Sequence, residues 1–202
     1  VDPSPPTSEA SAQIKAQLRK NYRKLRREHV EAQPQALRAL LFLRPPAPVV
    51  RLLPEGATVG LYSAGPHEAP TLSYARWLHE NGHALALPFF ATRDAPMAFR
   101  AWSNPYDEDE LEAGPYAMLQ PRAAAAAADP SVVFVPLLAF RPDGTRLGQG
   151  GGHYDRWLAA HPDALAIGLG WDCQLAEDLP REDHDQRLAA VITPTRFYEG
   201  HA

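Results

Sequence analysis

Ten residues, Ser131 to Phe140 (S-V-V-F-V-P-L-L-A-F), give the strongest strand signal in the chain and run directly into a turn at Arg141-Pro142-Asp143-Gly144. The sequence continues T-R-L-G-Q-G-G-G-H-Y-D-R-W-L, with glycine at 148, 150, 151 and 152 and an apolar helical pattern from Trp157 and Leu158. A near-continuous apolar run suits a strand buried on both faces, and a strand that leads through a turn into a helix is the unit of a parallel sheet. The same unit recurs. Ala57 to Tyr62 reads as a strand, Ser63 to Pro70 as a loop, and Thr71 caps a helix to Glu80 that Asn81-Gly82 closes. Ala84 to Pro88 is the next strand, Ala164 to Trp171 a further buried one, and Leu188 to Thr193 a last short one. With Pro96 to Trp102 as an edge strand, the expectation is five or six strands alternating with helices. The fold class that follows is α/β: three layers, a mostly parallel sheet with helices on both faces, Rossmann-like.

The remaining segments fill in that frame. At 202 residues the chain is long enough for one substantial core, read as a single domain over residues 8–202 behind a proline-bearing, disordered leader, 1–7. From Ser8 to His29 the pattern is helical, with Ile14, Leu18, Tyr22, Leu25 and His29 as a core-facing seam. Lys15, Arg19, Arg23 and Arg26/Arg27 form a stripe beside it, expected to be solvated. Arg38 to Pro54 reads as a second helix and a proline-rich turn. Asp107 to Glu112 is an acidic turn or short helix, Gly114 to Pro121 a loop, and Ala123 to Ala128 a helical turn or a spacer. Glu177 to Gln186 is a loop with Glu182, His184 and Asp185.

Charge narrows the function. The net charge is −4, which argues against general nucleic-acid binding. Yet residues 15 to 27 hold seven of the 20 lysines and arginines and no acid, so the other 13 face all 24 acids. That basic segment needs a local reason, and a polyphosphate along the stripe would supply one. Nucleic acid would too, but the stripe lacks interleaved aromatics for stacking. The single cysteine, Cys173, forms no internal disulfide and fits a reducing compartment. No apolar run reaches the 18 residues of a membrane span. The expectation is a soluble, cytoplasmic monomer whose partners are small molecules, with neither nucleic acid nor membrane among them.

The glycine cluster is the candidate site. Glycines let several backbone N–H groups face one side of a turn, and a helix that starts near Gly152 or His153 adds its own free N–H groups and positive dipole end. Arg146 and Arg156 flank the turn. Two familiar templates fail by counting: from Gly148 the sixth position of a dinucleotide fingerprint is His153, and no lysine follows Lys24 to complete a P-loop. On residues alone a phosphate cradle and an ordinary flexible turn both stay open. Taken singly, Asp155 reads as a first-turn carboxylate favoured by the helix dipole, Glu68 as a solvated loop acid, and His184-Asp185 as a loop pair.

Several motifs in order resemble the 5-formyltetrahydrofolate cyclo-ligase family. Pro136 and Phe140 end a strand as that family's P-x-x-x-F does, and Arg146, Leu147, Gly148, Gly150, Gly152, Tyr154, Asp155 and Arg156 match its R-L-G-x-G-x-G-x-Y-D-R. Lys15, Leu18 and Arg19 match K-x-x-L-R, and Glu68 and Thr71 match E-x-x-T. Gln174, Pro180, Glu182, His184, Asp185, Thr193 and Pro194 match its late motif. The resemblance implies an enzyme in which ATP phosphorylates the formyl oxygen of 5-formyltetrahydrofolate, an amine nitrogen closes the ring, and phosphate leaves to give 5,10-methenyltetrahydrofolate. It implies ATP binding by Lys15, Arg19, Arg146, Gly148, Gln149, Gly150, Gly151, Gly152, His153, Tyr154 and Asp155, with Arg146, Tyr154 and Asp155 catalytic. Asp155 and Asp185 would hold Mg²⁺, and Ser63, Glu68 and Tyr154 would bind the folate, with Phe99, Trp102, Tyr116 and Tyr154 as walls for the flat pterin. Three positions depart from the pattern: His153 stands where tyrosine is frequent, Ala64 where serine is, and Gln120 where glutamate is. They leave open a non-catalytic paralogue that binds nucleotide or folate as a regulator.

Overall fold

The computed structural model describes residues 8–200; the expected leader, 1–7, lies outside the described residues. Its centre is an eight-stranded sheet. In chain order the strands are β1 (Thr58–Gly60), β2 (Ala84–Phe89), β3 (Ala98–Ala101), β6 (Ala127–Ala128), β7 (Val132–Pro136), β10 (Leu165–Leu169), β11 (Ala190–Ile192) and β12 (Phe197–Glu199). They lie side by side in the order β12-β11-β10-β7-β1-β2-β3-β6. The five from β11 to β2 are parallel, and β12, β3 and β6 add antiparallel edges.

Period-two alternation in β7 divides the core. Val132 and Phe134 belong to one apolar cluster, and Val133 and Val135 to another on the opposite face. The first cluster takes in Val30 of α1 (Ser8–Glu31), Phe42 behind α2 (Gln35–Leu41), Val49 of α3 (Ala47–Val50), and Tyr74 and Leu78 of α4 (Leu72–Glu80). The second takes in Trp157 and Leu158 of α5 (His153–Ala160). Helices therefore cover both faces, giving three layers as expected. Phe134 is fully buried, and each such side chain stabilises the fold by about 1.5–3 kcal/mol.

Several local readings are corrected. The face that α1 buries is not Ile14 and Leu25, which are 44% and 43% exposed, but Ser11, Lys15, Arg26 and Val30. Of the expected seam, Leu18 and Tyr22 pack inward, half-buried against Leu147, Ala176 and Leu179, and half-buried His29 packs on Trp171 with ring centres 5.7 Å apart. Lys15 turns inward because a cavity faces it, and Arg26 because it meets the Glu68 carboxylate. The second helix breaks into α2 and α3 at Pro45-Pro46, where the missing N–H groups and ring sterics stop the hydrogen-bond ladder. The 131–140 strand also splits. After Pro136 the chain bends into β8 (Ala139–Phe140), which pairs antiparallel with β9 (Arg146–Leu147). β3 is interior, because the end of the alanine run forms β6 beside it. The segment read as a loop from Gly114 lies in a hairpin of β4 (Leu111–Ala113) and β5 (Leu119–Pro121).

Candidate active site

Strand order reverses between β1 and β7: the chain leaves β1 toward β2 on one side and later returns to lay β7 on the other. A crevice at such a switch point, beyond the carboxyl ends of parallel strands, is where α/β sheets bind ligands. Here it is a cavity of about 440 Å³. Tyr62, Ser63 and Glu68 enter from the end of β1, Pro88 and Phe90 from β2, and Pro136 from β7. The β8–β9 hairpin folds back at the end of β7, with Leu138 N–H on Leu147 O at 2.8 Å, and so sets Arg146 and residues 148–152 on the rim. Lys15 and Arg19 of α1 line the same cavity. The basic helix and the glycine loop, more than a hundred residues apart, face one space.

The glycine loop delivers the chain into α5. Gly150 and Gly152 have φ of 111° and 62°, left-handed values that favour glycine, and Gly152 precedes the first helical residue without any side-chain cap. Arg146 is buried, with Nη2 on Asp155 Oδ1 at 2.7 Å and Nη1 on the carbonyl of Gln186. Asp155 Oδ1 also accepts the Gln186 N–H at 3.1 Å. Burial, and then the neighbouring Glu68 carboxylate, push the Tyr154 phenol well above its ordinary pKa against the opposing pull of Arg146, so it stays protonated.

On the other side of Arg146 lies a second charged group. Lys15, with a side chain 6% exposed, donates to Glu182 Oε2 at 2.7 Å and Asp185 Oδ2 at 2.5 Å. Burial raises the Asp185 pKa, but the Lys15 hydrogen bond and the N–H of Glu182 outweigh it and hold the carboxyl below its usual value. Ligand atoms of Glu182, His184 and Asp185 lie within 4.8 Å of one another, a group able to hold a cation. Asp155 is not a member of that group. It commits Oδ1 to Arg146 and Gln186.

Glu68 sits where the loop after β1 meets the glycine loop and α1, its side chain 10% exposed. Oε2 accepts the Gly65 N–H at 2.9 Å, Oε1 accepts Gln149 Nε2 at 3.0 Å, and Arg26 Nη1 lies 3.5 Å from Oε1. Arg26 therefore faces inward, not along a solvated stripe. The apolar wall is Phe90, Met97, Tyr116, Met118 and Leu119, the last three from the β4–β5 hairpin. Gln120 anchors that hairpin by accepting the Phe90 N–H at 3.1 Å and donating to Phe90 O at 3.2 Å. Of the four aromatics expected to wall the cavity, Tyr116 and Tyr154 do so. Phe99 packs on Trp157 with ring centres 5.0 Å apart, and Trp102 belongs to the other core cluster. His153 stacks edge-on with Phe90 at 4.9 Å and lies 3.2 Å from the Tyr116 hydroxyl. Burial, and then the charge of Arg156, lower its pKa.

Most residues singled out by motif thus meet at one cavity. Apart from Tyr116, the apolar wall escaped sequence reading because its residues carry no periodic signal, and Arg26 because a like-charged run hides which member turns inward. Glu182 and His184 did carry a signal, the acidic R-E-D-H-D run, but without spacing diagnostic of a metal.

Comparison with known proteins shows the family and the fold. A model of the 5-formyltetrahydrofolate cyclo-ligase family matches residues 7–194. A 5-formyltetrahydrofolate cyclo-ligase of Escherichia coli K12 is 47% identical over 70 residues, 34% of this chain and 38% of that protein. One from Mycolicibacterium smegmatis is 28% identical over 192 residues, 93% of this chain and 95% of that protein. In fold, the chain is similar to an Aquifex aeolicus 5,10-methenyltetrahydrofolate synthetase, with TM-score 0.70 at 22% identity over 94% of this chain and 95% of that one. A Mycoplasma pneumoniae 5,10-methenyltetrahydrofolate synthetase gives TM-score 0.62 at 19% identity over 88% and 97%.

Proposed function

This chain belongs to the 5-formyltetrahydrofolate cyclo-ligase family, and from that premise we propose that it converts 5-formyltetrahydrofolate to 5,10-methenyltetrahydrofolate with Mg-ATP, releasing ADP and phosphate. The observation that carries the reading is one cavity lined by cations, the glycine loop and, beside that loop, Glu68, with an apolar hairpin as its other wall. Phosphoryl transfer needs alignment and charge neutralisation more than a covalent nucleophile. Lys15, Arg19 and Arg146, with the amides from Gly148 to Asp155, supply both for a triphosphate. Asp155 and Asp185 would hold Mg²⁺: both are carboxylates on the cavity, each has an oxygen outside its ion pair with Arg146 or Lys15, and oxygen donors suit that ion. When bound, Mg²⁺ neutralises charge on the phosphate oxygens.

On this reading Glu68 accepts the pterin N–H donors and fixes the ring, beside Ser63 and against Tyr116 and Tyr154. The formyl oxygen attacks the γ-phosphorus and ADP leaves. The neighbouring amine nitrogen then attacks the formyl carbon, loses its proton, and phosphate departs as the ring closes. Arg146, the residue shared by the phosphate wall and Asp155, stabilises the transferring group, and protonated Tyr154 offers a hydrogen bond between the two substrates. The apolar hairpin limits water, which would otherwise hydrolyse the phosphorylated intermediate. The test is the near-ultraviolet absorbance of methenyltetrahydrofolate. We expect it to rise only when ATP and Mg²⁺ are both present; folded protein that gives no ATP-dependent signal would overturn the proposal.

A further inference from the structure

Three arginines from two elements each hold one carbonyl of the glycine loop. Arg19 Nε donates to Gly148 O at 3.1 Å, Arg23 Nη2 to Gln149 O at 2.9 Å, and Arg156 Nη2 to Gly151 O at 2.8 Å. Arg23 Nε also reaches Gln149 Oε1 at 3.4 Å. Arg19 and Arg23 are one helical turn apart on α1 and therefore on one face, which lets them meet successive carbonyls.

The peptide plane converts these contacts into a direction. No peptide bond among the described residues is cis, and in a trans peptide the C=O and the following N–H point opposite ways. Guanidiniums that draw out the carbonyls of Gly148, Gln149 and Gly151 turn the N–H groups of Gln149, Gly150 and Gly152 the other way. Among the described residues, none of those three amides donates to a backbone acceptor. Residues 148–152 line the cavity, whereas Arg23 and Arg156 are exposed and do not. Glycine makes the conformation accessible but does not hold it, since it has the most backbone freedom to lose. A loop with four glycines in five positions needs an external hold to keep one shape.

We infer that Arg23 and Arg156, together with Arg19, are positioning residues that clamp the glycine-loop carbonyls outward, so that the amides of Gln149, Gly150 and Gly152 face the phosphates. The inference rests on the ATP reading above for its ligand. It gives part of the basic run in α1 a local reason: these side chains act on the loop, and the loop acts on the nucleotide. A general positive potential would explain the run equally well if position did not matter, and Lys20 separates the two. Lys20 is exposed on the same helix and touches no loop carbonyl.

The test compares wild type, Arg23→Gln, Arg156→Gln, their double variant and Lys20→Gln in the full chain. Without ligand, heteronuclear NOE values of the Gln149, Gly150 and Gly152 amides report loop order on the ps–ns timescale. They should fall in the double variant and stay at wild-type values in Lys20→Gln. With Mg-ATP titrated in, the dissociation constant should rise about threefold for each single arginine change and about tenfold for both, as expected for charge-assisted hydrogen bonds near the surface. The Michaelis constant for the folate should move less than twofold. Unchanged NOE values in the double variant, or a Lys20→Gln effect equal to that of Arg23→Gln, would overturn the clamp. Failure of wild type to bind Mg-ATP would instead sink the ATP reading, and the ligand-free NOE values would still decide whether the arginines order the loop.

Discussion

The two walls of the cavity achieve opposite ends by opposite means. The glycine-loop wall is made of main chain and buried charge: Arg146, Lys15 and their carboxylate partners, with side chains 4% and 6% exposed for the two cations. The hairpin wall is apolar and exposed at its tip, where Tyr116, Met118 and Leu119 are 37%, 39% and 48% exposed. Buried charges are costly unless paired, so the first wall is fixed by mutual neutralisation and tolerates little change. The hairpin is held instead by neutral contacts, Gln120 to the Phe90 backbone and the Tyr116 hydroxyl to Arg93 O at 2.7 Å, and leaves apolar surface open to the solvent. One wall is prepared for a charged ligand in advance; the other completes itself on a flat one.

Substitutions can break that contrast, and the largest effect belongs to Arg146. In Arg146→Ala the Asp155 carboxylate loses its buried partner, and removing one member of such a pair costs about 3–5 kcal/mol. Urea unfolding should show the loss, and turnover should drop about 100-fold or more, the scale of removing a group that stabilises transition-state charge. Preserved stability would mean that the first wall is not held by its ion pairs.

Lys15→Ala comes next. We expect the Michaelis constant for ATP to rise much more than that for the folate; equal effects on both would undermine the assigned role. The same variant carries a pH signature. The folded-state pKa of Asp185 is depressed, so its contribution to stability is present above the unfolded value near 4 and is lost as pH falls through the folded one. Without Lys15, burial is opposed only by the remaining partners, and that loss should move to higher pH, read as an earlier acid transition by circular dichroism.

Tyr116→Ala should act mainly on the second wall, raising the folate Michaelis constant by about tenfold through lost aromatic contact, with a smaller rise in that for ATP through its contact with His153. An equal change in both would show that the hairpin touches the nucleotide as well. The smallest effect is expected for Gln120→Glu. The carboxylate still accepts the Phe90 N–H but faces Phe90 O without a donor, a loss of about 1–3 kcal/mol in stability with kcat kept within a few-fold. A stabilised Gln120→Glu would show that the hairpin is anchored otherwise.

The contrast between the walls also explains which parts of the molecule were readable in advance. Strand β7 and the glycine loop announce themselves, since a run of β-branched and aromatic residues and four glycines in five positions each have few alternatives. The hairpin wall does not: Gly114 to Pro121 reads as a loop, and its pairing depends on Gln120 finding the Phe90 backbone thirty residues away. The alanine run to Ala128 has high helix propensity, yet its end becomes a strand because the open edge of β3 offers hydrogen bonds that propensity does not count.

Local chemistry, legible in one dimension, determined the parallel α/β core and the glycine loop ahead of a helix as a candidate anion site. Only the tertiary structure decided that α1 turns Lys15 and Arg26 inward while Ile14 and Leu25 face water. Helical periodicity identifies faces, but whether a face meets apolar core or a polar cavity depends on what the rest of the chain brings opposite it. The partners of Lys15, Glu182 and Asp185, lie 167 and 170 residues away. Pairing of charges at that separation is set by the fold, because electrostatic attraction acts on distance in space and has no dependence on position along the chain.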